Sequence, residues 1–300
     1  MEFDEILGKL NASTSKWIEN NIEYINPLIE NNYADKKLKI KVFVEFLFLD
    51  NMFYPNYVFN KKIRQNIIDT TQKVIKKIDF NNYFVFNNSL SSGATELAKF
   101  SNNLAMNLIN LNKLQLIINT NADVMPERPP FRKIDIKYSI ELIGLKSNFP
   151  DMESLYNQTI LAKDFNFLYL SDNVSYSITH TIFYVTDMGR KVPDYINVSK
   201  VKELIFKLSN YYLLIKNYDI LSELLLSLIF IEASFNESEK ETVKNLFYAI
   251  YQAQESNGMI PAPIEIKSKD SIKRFYNYYH TTMVVLGASY GFLSKTSNFK

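Results

Sequence analysis

The chain has 300 residues, 47% hydrophobic and 22% charged, enough apolar material to bury one large core or two average ones. Lys+Arg 34 against Asp+Glu 32 leaves a formal charge of +2 with the signs interspersed, so no nucleic-acid footprint stands out. Cysteine is absent and the seven glycines never cluster, which excludes disulfide scaffolds, thiol nucleophiles, Cys-ligated zinc and iron–sulfur centres, along with the Walker A loop, the dinucleotide fingerprint and the nucleophile elbow.

Leucine, isoleucine and phenylalanine recur at three- and four-residue spacing without hairpin signals, which predicts an all-α fold. In the first half the periodicity predicts helices over 4–31, 38–53, 60–79 and 93–113. The short basic runs at 36–41 and 73–77 are broken by apolar residues at helical spacing and read as solvated helix faces. After the Pro-rich loop Met125–Pro130, helices are predicted over 133–147, 151–163, 173–188, 198–216, 218–234, 238–255 and 273–293. Ser171 or Asp172 can cap one of these, Gly189 and Pro193 end it, and Asn236 and Ser238 open another. The acidic start, Met1 to Glu5, lacks the basic region of a signal peptide, so a cytoplasmic location is expected. No charge falls between Arg274 and Lys295, but His280, Asn277 and four tyrosines in that stretch predict a buried helix rather than a membrane span.

The helices alternate in character. Those over 198–216 and 238–255 are amphipathic, whereas 173–188 and 273–293 are nearly free of charge and 218–234 carries only Asp219, Glu223 and Glu232. A helix apolar on all sides is enclosed, and an amphipathic one faces water. Extended backwards, the alternation puts inner helices near residues 45, 100, 140, 180, 226 and 283. The one near 140 fits least well, because Lys133, Asp135, Lys137, Glu141 and Lys146 all fall in it. Paired inner and outer helices at this period predict an α/α toroid, a single domain over 1–300 whose first 130 residues are less regular.

Three segments support a toroid: Gln254-Glu255-Ser256-Asn257-Gly258-Met259-Ile260, Ser177 to Gly189, and Tyr278-Tyr279-His280-Thr281-Thr282-Met283. The first resembles the Gln-x-x-Asp/Asn-Gly turn that follows a helix in α/α-toroid enzymes. Over about 170–294 the chain is similar to an uncharacterised α/α-toroid family that accompanies natural-product biosynthesis genes in bacteria. That resemblance implies a fold and a biosynthetic context but no particular reaction.

Both histidines of the chain lie in charge-poor helices. Tyr176, His180, Tyr184 and Asp187 stand at i, i+4, i+8 and i+11, so a helix through all four would carry them on one stripe. His280 follows Tyr276 by one turn, with Tyr279 and Thr281 beside it, and Glu223 puts a carboxylate in an apolar run. Polar groups on enclosed helices need partners or a cavity. His180 is therefore the expected general acid or base, oriented by Asp187 or Tyr184, with His280 as a further catalytic group. Tyr176, Tyr184, Glu223, Tyr279 and Thr281 are the expected substrate-binding residues. A metal on His180, His280 and either Asp187 or Glu223 has no local spacing signature, and neither a metal nor another cofactor is expected. Glycoside hydrolysis would lack tryptophan platforms, since Trp17 stands alone, and the Asp-rich motif of toroid terpene cyclases is missing. The expectation is a tailoring enzyme of bacterial secondary metabolism, acting by histidine and carboxylate chemistry on a small apolar or peptide intermediate in a central cavity. The alternative is a non-catalytic binding or scaffold protein of a biosynthetic complex. Expected partners are the substrate and other biosynthetic enzymes, not nucleic acid or membrane.

Overall fold

The computed structural model describes residues 2–30, 33–81, 92–164, 166–232, 234–264 and 268–295. Among the described residues the chain forms twelve α-helices and three short 3-10 turns, without strands. Helix α1 (Phe3–Asn20) gives way to a 3-10 turn, Ile22–Ile25, instead of running to 31. Its end is closed by the Asn21 side chain, which donates to the Trp17 carbonyl at 2.8 Å. Helices α2 (Lys36–Phe53) and α3 (Lys61–Val74) are each opened by a capping oxygen, Asp35 accepting from Leu38 N–H at 2.7 Å and Asn60 from Ile63 N–H at 3.0 Å. Helix α4 (Gly93–Asn103) stops short of 113 because Ala105 and Asn107 take positive φ and the Ser101 hydroxyl accepts from Leu108 N–H.

The stretch after it, featureless in the sequence pattern, contains α5 (Leu111–Ile118), capped by Asn110. Helix α6 (Pro130–Leu142) begins with a proline at its first position, where the missing N–H costs nothing. In place of one helix over 151–163 there is α7 (Met152–Tyr156) and a 3-10 turn, Ile160–Ala162. Then come α8 (Asp172–Val185), α9 (Val198–Leu214), α10 (Tyr218–Phe230), α11 (Glu237–Ala253) and α12 (Ser271–Lys295). Ser171, Asn197, Asn217 and Asn236 cap the first four of these, the last within a capping box with Glu239.

Helix α2 packs on α4, α4 on α6, α6 on α8, α8 on α10, α10 on α12, and α12 returns to α2. These are the six helices expected inside. Every residue of α10 is buried, whereas α11 buries only Val243, Leu246, Phe247 and Ile250. The others lie outside the series: α1 on α12, α9 on α10, α7 on α6 and α8, and α11 against α1 and α9. One hydrophobic cluster runs from Ile6 to Phe292, so helices from both halves of the chain share a core. Helix α6 fits the inner pattern least well by sequence because two of its charged residues, Asp135 and Lys137, are buried.

The Gln254 to Ile260 turn lies away from the polar cluster described below and ties α1 to α12. Gln254 donates to the Gly258 carbonyl at 2.9 Å and accepts from the Ser13 hydroxyl at 2.7 Å. Ile260 N–H donates to Thr282 Oγ1 at 3.1 Å. Gly258 has φ +93°, and a Cβ there would stand 2.2 Å from the Ser13 carbonyl oxygen, so both its conformation and its surroundings demand glycine. Among the described residues no helix is long and apolar enough to cross a membrane.

Candidate active site

The inner helices enclose a chamber of about 140 Å³ that opens into a vestibule of about 860 Å³. Phe48, Leu49, Met52, Phe183, Leu226 and Met283 dominate the chamber wall. Six side chains line both spaces and so form the neck: Lys41, Glu45, Arg132, His180, Glu223 and His280. They come from α2, α6, α8, α10 and α12. His180, Glu223 and His280 sit on enclosed helices, where a titratable group must face a partner or the cavity, while the Lys41 and Arg132 side chains reach solvent.

The partners are specific. His280 Nδ1 lies 2.7 Å from Asp219 Oδ1, while the other oxygen of Asp219 accepts from the Tyr176 hydroxyl at 2.6 Å and Thr281 also hydrogen-bonds to the carboxylate. Burial disfavours charge on both His280 and Asp219, but each offsets the cost for the other. Asp219, helped by Glu45 and Glu223, pushes the His280 pKa up to about 10. His280 with its hydrogen bond, joined by those from Tyr176 and Thr281, holds Asp219 below the usual carboxylate range. The result is an enclosed imidazolium–carboxylate pair.

Glu223, one turn after Asp219 on α10, lacks an equivalent partner. Burial, then the neighbouring Asp219 charge, raises its pKa to about 8, against the opposing pull of His280 and a hydrogen bond from Thr179 at 2.6 Å. His180 is different again. Its Nδ1 is 2.8 Å from the Tyr176 carbonyl oxygen, an atom that can only accept, so Nδ1 carries a proton and Nε2 the lone pair. Burial, reinforced by the Arg132 charge, lowers its pKa to about 4. The 3.6 Å approach of His180 Nδ1 to Glu223 Oε2 is consequently a contact between neutral groups, not an ion pair. At neutral pH the neck thus holds a neutral histidine, a charged histidine and a mostly protonated glutamate.

A second ring of groups steadies the neck. Tyr279 donates to Glu45 Oε2 at 2.6 Å, and Lys41 Nζ lies 3.6 Å from its other oxygen. Arg132 pairs with buried Asp135 at 2.9 Å, and Tyr184 hydrogen-bonds to the same carboxylate. Deeper in, Glu96 accepts from Asn51 at 2.9 Å, and burial raises its pKa to about 7.

The expected residues therefore divide. His180, His280 and Glu223 meet at the neck, Tyr176 faces the vestibule and Tyr184 the chamber. Tyr279 and Thr281 line neither space and act through Glu45 and Asp219. Asp187 stands apart and does not orient His180. Helix α8 ends at Val185, and Asp187 takes φ +50°, which turns it off the stripe. It accepts instead from Tyr138 at 2.8 Å and Arg190 at 3.2 Å, and Arg190 also donates to the Met52 carbonyl at 3.1 Å. Asp219, Glu45, Arg132 and Asp135 carry much of the electrostatics without having been singled out from sequence. Asp219 alone had a readable signal, since it lies four residues before Glu223 on the same apolar helix.

Asp219, Glu223 and His280 also offer one ligand atom each within 4.8 Å of one another, a metal-like spacing. Their hydrogen bonds already account for the cluster: His280 Nδ1 is spent on Asp219, and both Asp219 oxygens accept donors.

An all-helical protein with an enclosed acid–base cluster at the neck of an apolar chamber is, by class, a candidate small-molecule enzyme or binding protein. The chain belongs to the DUF6895 family, a domain of unknown function whose model matches residues 11–290. No curated protein and no solved structure matches the chain.

Proposed function

We propose that the protein is an enzyme that transfers protons to or from a small, largely apolar substrate whose reacting group sits at the neck. The observation that carries this reading is geometric: His180, His280 and Glu223, from three successive inner helices, converge on one opening between the chamber and the vestibule. Glu223 is the proton-transferring residue, because an acid that titrates near neutrality can both give and take a proton. His280, fixed as imidazolium by Asp219, donates to negative charge as it develops on the substrate. His180 offers Nε2 as an acceptor that orients a substrate hydroxyl or amine. Enclosed titratable groups pushed apart in pKa are the usual arrangement of acid–base sites.

The closed series of inner helices supports reading the fold as an α/α toroid with this cavity inside it. A tailoring step in bacterial natural-product biosynthesis, on a small or peptide intermediate, is the setting that the sequence resemblance suggests. The alternative, a binding or scaffold protein, draws support from exposed Phe167, Leu168 and Tyr169 on the segment joining the vestibule residues Lys163 and Asn173.

The test is turnover of a panel of arylacyl, aryl amino acid and short peptide probes, followed by mass spectrometry. The wild type should yield a product of altered mass or structure, and Glu223→Gln should lower the rate by about a hundredfold or more while retaining the helical circular dichroism. Full activity in both Glu223→Gln and His280→Ala refutes the reading. Probes that bind in the cavity and return unchanged favour the scaffold.

A further inference from the structure

The two spaces on either side of the neck differ in chemistry, and the difference specifies a molecule. The inner chamber is walled by aliphatic and aromatic side chains, among them Phe48, Leu49, Met52, Leu226 and Met283. Its volume of about 140 Å³ sets an upper size, since an apolar cavity of about 150 Å³ is known to admit benzene. The outer side is cationic. Lys41 and Arg132 reach both spaces, and Lys163 lies on the vestibule wall, exposed and with no ion-pair partner among the described residues.

We propose that the site selects a small amphiphilic anion, with a phenyl-sized apolar end in the chamber and an anionic head group held on the vestibule side by Lys41, Arg132 and Lys163. This deepens the acid–base reading and rests on it only for the bond that reacts, which would lie between the two ends, at the neck. The opposing charges are largely engaged in pairs: Asp135 with Arg132 and Asp219 with His280. Glu45 is the carboxylate that faces the head group, and it is engaged by Tyr279 and Lys41. Glu223 adds little negative charge at neutral pH, because burial keeps most of it protonated. The positive charge of His280 at the same opening is balanced by Asp219 at 2.7 Å. With Asp135 and Asp219 counted beside Glu45, the cations exceed the ionised carboxylates by one, the exposed Lys163, and a low-dielectric wall focuses that field on whatever enters. A neutral apolar molecule would fill the chamber but leave this field unused, while a small hydrophilic anion would leave the chamber empty.

Isothermal titration calorimetry with three probes separates these cases without requiring turnover: 3-phenylpropanoate, 3-phenylpropanamide and propanoate. The aromatic acid should bind at least about tenfold more tightly than the amide and than propanoate. Lys163→Glu, a change at an exposed position, should weaken the acid several-fold and leave the amide unchanged. Raising the salt concentration should weaken the aromatic acid and leave the amide unchanged. Equal affinity for acid and amide overturns the anionic half of the inference, and equal affinity for propanoate overturns the chamber half. No heat from the aromatic acid at roughly 10 mM overturns both. Each of these failures would leave the dependence of turnover on Glu223 standing, so the two readings fail separately.

Discussion

Asp219→Asn changes one buried oxygen to nitrogen and keeps the shape of the side chain, so it isolates the charge that holds His280. At 2.7 Å and an effective dielectric constant of about 20, that attraction amounts to roughly 6 kcal/mol, equivalent to four or five pH units on the His280 titration before burial is subtracted. The balance in the wild type is a pKa of about 10 against an ordinary 6.5. Without Asp219 the opposing effect of burial dominates, and only the more distant Glu45 and Glu223 charges remain to resist it. The His280 titration should therefore fall by several units, into or below the neutral range. Proton NMR of the imidazole C2–H signals reads this directly, because the chain has only two histidines. In the wild type neither signal should titrate between pH 5.5 and 8.5, given values of about 4 for His180 and about 10 for His280. In the variant one of them should. A wild-type signal that titrates near 6.5, or a His280 signal unmoved by Asp219→Asn, would refute the ion pair and the roles built on it.

Glu223 titrates at about 8 in the folded protein and near 4.5 when unfolded, so the folded state binds the extra proton between those values and the contribution of Glu223 to stability falls as pH rises through that window. His280 acts in the same direction between 6.5 and about 10. From pH 6.5 to 8 the two together should cost up to about 3 kcal/mol per pH unit, and Glu223→Gln should remove about half of that slope in urea unfolding. An unchanged slope would contradict the raised pKa. Gly258→Ala forces a side chain into a left-handed backbone and against the Ser13 carbonyl, so it should destabilise by at least about 2 kcal/mol, whereas a change under half of that would mean the α1 contact gives way easily. Zinc ions at neutral pH should leave the unfolding midpoint unchanged, because His280 would have to lose its proton and Asp219 its donors to bind them. A raised midpoint would show that the cluster is a ligand set after all.

The enclosed helices were legible because apolar character on all sides has one cheap explanation. Leu221 to Ile229 could scarcely be anything but interior, and Ser171 and Asn236 marked the starts of two of the later helices. Helix ends were less legible, and one of them decided a residue's role. Asp187 shares a stripe with His180 only if the helix continues, and a stop at Val185 moves it to Tyr138 and Arg190. Asp135 weakened the inner reading of its helix, because a charge at a core position fits poorly until Arg132 and Tyr184 are known to meet it. Arg132 follows a Pro-rich loop, where periodicity carries no information, and Glu45 looks like any lone charge in an apolar run. Pairings such as Glu45 with Tyr279 join residues far apart in the chain, and a single sequence contains nothing that links them.

The contact of α12 with α2 has a consequence for biosynthesis of the chain itself. His280 leaves the ribosome after every other group at the neck, and its charge is the one that makes burying Asp219 tolerable. Until α12 docks, a nascent chain that has already brought α8 and α10 together holds the Asp219 carboxylate with no imidazolium beside it. Burying the Asp219 charge is uncompensated in that intermediate, so enclosure of the cavity becomes favourable only when α12 docks. Function and the last step of assembly are in this way tied to a single side chain.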